Sequence, residues 1–216
     1  MIQPASLRRP GEGVRALLFD LGGVLMDIDF DRVLGAWSAA ARCDPAELRA
    51  RFAFDDAYRQ HERGEIQAPE YFASLRRSLG LTLSDDEFLD GWGRLYAGVI
   101  EPVPALLAAA AQRFPLYAFT NSNPAHQAVW SIRFARELEC FRSVFVSSEL
   151  GLRKPDPAAF AAVCQQLRLR PDQVMFFDDT AENVAGAEQA GMTAVLIRSA
   201  GDVQSACARL GIGLRH

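Results

Sequence analysis

Residues 14–25 read VRALLFDLGGVL. The run from Val14 to Phe19 is short and dominated by apolar side chains, and Asp20 and the glycine pair Gly22 and Gly23 close it. That pattern reads as a buried strand of a parallel sheet rather than a helix. Four more runs of this kind follow, at Leu116 to Phe119, Val144 to Val146, Val174 to Phe177 and Ala194 to Ile197. Helix starts fall between them, at Asn123 with Pro124, at Asp156 with Pro157, and at Thr180 opening a segment that Gly191 closes. Strand and helix alternate, so the expected core is α/β, a Rossmann-like parallel sheet.

The stretch 28–100 breaks the alternation. It has helix starts at Asp44 with Pro45, at Pro69, and at Ser84 with Glu87 as a capping box, but no strand signal. We therefore expect an inserted all-helical cap at 28–100, hinged over the carboxyl edge of a catalytic core made of residues 1–27 and 101–216.

Composition narrows the chemistry. Half of the 216 residues are hydrophobic, enough to bury a full core. A net charge of -4 argues against nucleic acid as partner. Cys43, Cys140, Cys164 and Cys207 are scattered and only three histidines occur, which speaks against zinc and for a reduced, cytoplasmic setting. No run approaches membrane-spanning length, and the first 13 residues read as a loose tail rather than a leader. Trp37, Trp92 and Trp130 suit core packing as well as an interface, so the oligomeric state stays open, with a monomer kept as the working reading. Of 23 basic residues, 22 are arginine and one, Lys154, is lysine. A lone lysine on that background suggests a site that needs a compact ammonium.

Ligands of open parallel sheets bind beyond the carboxyl ends of the strands. There the sequence supplies Asp20, then Thr120 and Asn121, then Asp178 and Asp179, with Lys154 in the loop after the third strand. Taken singly, each has a duller reading as a turn or helix-capping residue. Together they suit phosphoryl transfer. Crowded carboxylates call for a divalent cation, and few hard oxygen ligands favour Mg2+. Lys154, Thr120 and amides near Gly22 and Gly23 are expected to take up phosphate charge, while a carboxylate attacks phosphorus.

FDLGGVL, FTNSN, LRKPDP and FFDDTAENVAGAEQAG resemble, in order and spacing, the four motifs of the haloacid dehalogenase (HAD) superfamily. Within it, DIDFDRVLGAWS and HERGEI resemble bacterial phosphatases acting on α-D-glucose 1-phosphate. The resemblance implies the HAD fold and a small phosphorylated substrate. It makes Asp20 nucleophile and metal ligand, with Thr120 and Lys154 as its catalytic partners at the phosphate. It also makes Asp179 and the Gly22 carbonyl metal ligands, and Asp178 an outer or water-mediated one. Gly23, Asn121, His61 and Arg63 are expected to bind substrate. Gly22 stands where most phosphatases of the superfamily carry an acid-base aspartate; Asp27, His61 or a metal-bound water are the candidate substitutes. Two other readings stay open: a metal-independent 2-haloacid dehalogenase, and a silent binder of phosphorylated metabolites.

Overall fold

The structure, a computed structural model, describes residues 13–213, so residues 1–12 of the expected tail lie outside the described residues. Strands β1 (Ala16–Phe19), β4 (Leu116–Thr120), β5 (Phe141–Val146), β6 (Val174–Asp178) and β7 (Thr193–Leu196) form one sheet in the order β5-β4-β1-β6-β7. Every neighbouring pair in it is parallel. All five apolar runs are strands, within a few residues of the expected bounds. β1 is central because its residues are buried on both faces: Leu17 and Phe19 join the core on one side, Leu18 the core on the other. Phe19 pairs with Ala118 of β4 and Phe177 of β6. The next residue along each strand is Asp20, Phe119 or Asp178, and Thr120 follows Phe119, so the polar groups emerge at one edge.

Helices α6 (Val103–Ala111), α7 (Pro124–Arg133), α8 (Ala135–Leu138), α9 (Ser147–Leu150), α10 (Pro157–Leu167), α11 (Ala181–Gln189) and α12 (Ala200–Arg209) complete the core. Asn123 and Asp156 cap α7 and α10 through their side chains, as their position before proline suggests. Gly186 lets α11 approach the loop after Lys154, because a Cβ there would overlap the Pro155 carbonyl.

The inserted segment contains α1 (Phe30–Ala41), α2 (Pro45–Arg51), α3 (Asp56–Glu62), α4 (Ala68–Leu79) and α5 (Asp85–Gly93). It is not all helical. β3 (Tyr96–Val99) pairs antiparallel with β2 (Met26–Ile28), forming a two-stranded ribbon where the chain leaves and re-enters the sheet. The helices are held by aromatic packing, with Trp37 stacked on Trp92 at 5.4 Å and its Nε1 donating to the Phe88 carbonyl at 3.1 Å. Both indoles are essentially fully buried, which is worth at least about 3 kcal/mol each.

Candidate active site

The site is built on the carboxyl ends of β1, β4 and β6 and on the loop between α9 and α10. Asp20 follows β1, its amide held by the Phe177 carbonyl at 2.8 Å. Lys154 is 1% exposed, and its Nζ lies 2.9 Å from Asp20 Oδ1 and 2.6 Å from Asp178 Oδ2. The same ammonium sits over the rings of Phe119 and Phe176, at 5.4 and 5.3 Å from their centroids. A compact cation fills this slot between two rings and two carboxylates, and that accounts for lysine in a chain otherwise using arginine.

Asp178 is fully buried and saturated by donors. Besides Lys154 it accepts from the Thr180 amide at 2.8 Å and from Asn183 Nδ2 at 2.9 and 3.1 Å. Its work is thus to hold Lys154 in place. Asp179 is the freer neighbour, with Asp20, Asp178 and Asp179 offering carboxylate oxygens within 4.8 Å of one another. Gly23 has φ +71°, and a Cβ there would overlap the Asp179 carboxylate, so glycine is required twice over.

Burial first, and the charge of Asp178 second, push the Asp20 carboxyl up to about 7 despite Lys154. Asp179 is raised for the same two reasons. Burial works against the Lys154 ammonium, but Asp178 and Asp20 outweigh it and hold its pKa above the ordinary value. Acids this crowded stay ionised at neutral pH only with more positive charge nearby. That is the physical fit for a divalent cation: two carboxylates, Asp20 and Asp179, and the Gly22 carbonyl, which accepts no hydrogen bond among the described residues.

Thr120, at the end of β4, borders the same cavity of about 730 Å³. Its lining combines apolar side chains, among them Met26, Ile28, Phe30, Phe54, Leu95 and Trp130, with the polar groups of Tyr58, Arg59, Glu62 and Arg153.

Several expectations need correcting. Asn121 does not offer its side chain to a ligand: Oδ1 accepts from the Lys154 amide at 2.9 Å and Nδ2 donates to the Lys154 carbonyl at 3.0 Å. The Gly23 amide is taken by the Met26 carbonyl at 2.8 Å, whereas the amides of Leu21 and Gly22 have no acceptor among the described residues. His61 is buried, stacked on Tyr71, with Nδ1 against the Ile66 carbonyl. Arg63 pairs bidentately with Glu65 at 2.6 and 2.9 Å, and neither His61 nor Arg63 borders the cavity. Asp27 lies exposed on β2, also off the cavity, and so does not replace an acid at Gly22. A Cβ at Gly22 would come within 3.3 Å of Ile28 Cδ1, so the side-chain space there is already occupied. Of the run Tyr58, Arg59, His61, Glu62 and Arg63, whose side chains suit sugar hydroxyls in the sequence, Tyr58, Arg59 and Glu62 do border the cavity. Asn183 and Arg153 were missed; Asn183 lies within the FFDDTAENVAGAEQAG stretch, three residues past Thr180, where its i+3 spacing was the available signal.

The model of haloacid dehalogenase-like hydrolases matches residues 14–191. The chain is 27% identical to Phosphatase MT3486 of Mycobacterium tuberculosis over 91% of this chain and 93% of that protein. It is 23% identical to D-ribitol-5-phosphate phosphatase of Bacteroides thetaiotaomicron over 82% and 89%. A HAD-family enzyme from Bacteroides thetaiotaomicron, solved in complex with magnesium and inorganic phosphate, superimposes with a TM-score of 0.74 at 24% identity, covering 87% of this chain and 96% of that one. The polar groups gathered at the ends of β1, β4 and β6 thus sit in a known framework, and with the family match spanning most of its length this chain belongs to the haloacid dehalogenase-like hydrolases.

Proposed function

We propose that this hydrolase is a Mg2+-dependent phosphatase of small phosphorylated metabolites that works through an aspartyl-phosphate on Asp20. The observation that carries the reading is the buried bridge Asp20–Lys154–Asp178 with Asp179 at its side, which gathers a carboxylate nucleophile, an ammonium and a second carboxylate in one cluster. Asp20 attacks phosphorus, the bond from phosphorus to the leaving oxygen breaks, and the leaving group departs with a proton from solvent. Water then cleaves the acyl phosphate, returning Asp20 and releasing inorganic phosphate. Lys154 and Thr120, with the amides of Leu21 and Gly22, neutralise the non-bridging oxygens. Asp20, Asp179 and the Gly22 carbonyl would hold Mg2+, which when bound supplies charge neutralisation at the transferring phosphate. With no acid at Gly22, proton transfer to the leaving group is unassisted by a first-choice carboxylate, at a cost of about 10²- to 10⁴-fold.

The inserted helices act as a cap that encloses the leaving group. The substrate reading is a sugar phosphate, with α-D-glucose 1-phosphate the first to try, because the cavity lining offers apolar side chains to carbon faces and polar ones to hydroxyls. D-Ribitol 5-phosphate, named in a relative, belongs beside it. A monomer remains the working state.

The test is phosphate release from a panel of such esters with Mg2+ and with chelator, for the parent protein and for Asp20→Asn. Mg2+-dependent release that falls by at least about 10⁴-fold in the variant supports the reading. Halide release from a 2-haloacid in chelator would replace it with the dehalogenase, and tight phosphate binding without turnover would replace it with the silent binder.

A further inference from the structure

The phosphatase reading leaves one charged device in the cavity without work. Arg153 immediately precedes Lys154, and its Nε donates to Glu62 Oε2 at 2.8 Å. Glu62 belongs to α3 in the inserted segment, 91 positions away in sequence, and is 4% exposed. Tyr58 lies one turn earlier on α3, on the same face of the helix as Glu62. The backbone there is pressed onto the core, since a Cβ on Gly64 would stand 2.5 Å from the Ser148 carbonyl oxygen. Arg153, Glu62 and Tyr58 all border the cavity.

Burial raises the Glu62 carboxyl above its ordinary value against the pull of Arg153, and as the partner of Nε its effect is to fix the guanidinium. The Arg153 Nε–H is spent on Glu62, whereas its two terminal nitrogens donate to no group among the described residues. They form a fork at the lining of the cavity, which also carries the apolar side chains of Ile28, Phe54 and Trp130. Ile28 and Phe54 are 36% and 51% exposed, large apolar side chains left uncovered at the mouth of the cavity.

We propose that Arg153 determines specificity by donating to hydroxyl oxygens of the leaving group, with Glu62 as the positioning residue that holds its fork. This rests on the phosphatase reading. The favoured leaving group is polyhydroxylated and uncharged, with adjacent hydroxyls for the two terminal nitrogens and a C–H face for Phe54 and Ile28. A second anion is disfavoured because the Glu62 carboxylate already neutralises Arg153 and lies beside it.

The experiment compares kcat/KM for a polyol or sugar phosphate with that for p-nitrophenyl phosphate, whose leaving group has no aliphatic hydroxyl. Parent protein, Arg153→Ala, Arg153→Lys and Glu62→Gln are measured. In Arg153→Ala the ratio of the two values should fall by about 10- to 100-fold, the loss of charge-assisted hydrogen bonds, and mainly through KM. Arg153→Lys should recover little, since an ammonium cannot reproduce the fork. Glu62→Gln should lower the ratio less, its amide oxygen still accepting from Nε. Equal losses on both substrates would show that Arg153 only supports the Lys154 loop, and unchanged values on both would show that it reads nothing; either overturns the proposal. Failure of the parent protein on both esters would instead overturn the phosphatase reading, and this inference with it.

Discussion

Lys154→Met replaces the buried ammonium by an apolar chain of similar length and leaves Asp20 and Asp178 facing one another. Lys154 is 1% exposed and bridges both carboxylates, at 2.9 and 2.6 Å, so no solvent takes its place. Removing one partner from a buried ionic group costs about 3–5 kcal/mol. The site has an escape, which is protonation, and this gives the penalty a pH dependence. In the parent protein Asp20 is already raised to about 7 by burial and by its acidic neighbours. A carboxyl raised above its unfolded value binds more protons folded than unfolded, so its contribution is present at low pH and lost as pH rises through the folded value. Without Lys154 that folded value climbs higher, and the loss continues above 7. The penalty measured by urea denaturation in chelator should therefore be smallest at pH 5.5, where protonation relieves it, and grow above pH 7 by up to about 1.4 kcal/mol per pH unit, or about 2 kcal/mol more by pH 8.5. Mg2+ should return part of it, by binding the folded state only. A penalty equal at both pH values, or larger at 5.5, would refute the account of a charge-bridging lysine. Lys154→Arg keeps the charge but forces a larger group between Phe119 and Phe176; turnover should collapse, with an overpacking cost of about 1–3 kcal/mol.

Gly23→Ala should cost about 1–3 kcal/mol from the left-handed backbone alone, and should weaken Mg2+ binding measured by calorimetry because the new Cβ displaces Asp179; unchanged affinity would show that Asp179 is not a ligand. His126, buried and pulled down to about 3 by burial and then by His61, is neutral when folded but takes a proton when unfolded. Its contribution is present above about 6.5 and lost as pH falls toward 3, so the stability of the parent protein relative to His126→Gln should drop by about 3 kcal/mol between pH 7 and pH 4. A difference that does not move with pH would show that the imidazole is not held neutral.

The sheet was legible because both faces of its inner strands β1, β4 and β6 are largely buried, which writes each as an unbroken apolar run, and because charge has no structural reason to follow such a run. Asp20, Thr120, Lys154, Asp178 and Asp179 stood out on that basis and meet at one sheet edge or border one cavity. β3 was not legible: its four residues include Gly98, are mostly half-buried, and make sense only beside β2, some 70 positions earlier. On α3 the composition was legible but the phase was not. Tyr58, Glu62 and Arg59 share an arc of about 100° toward the cavity, whereas His61 and Arg63 fall on its two flanks, one into the cap interior and one toward Glu65. Asn121 was read as ligand-facing because sequence shows a polar atom but not what consumes it.

Asn121 imitates a strand. By giving and accepting one hydrogen bond each with the Lys154 backbone, its amide reproduces a rung of the ladder one residue past the point where β4 ends. Lys154 is thereby registered to Thr120 independently of the loop that delivers it. Length changes between α9 and Arg153 can be absorbed as slack on the surface, whereas a residue added between Lys154 and Asp156 would break the register and part the ammonium from the carboxylate it serves. The chain can thus vary its loop around the entrance without retuning the chemistry beneath it.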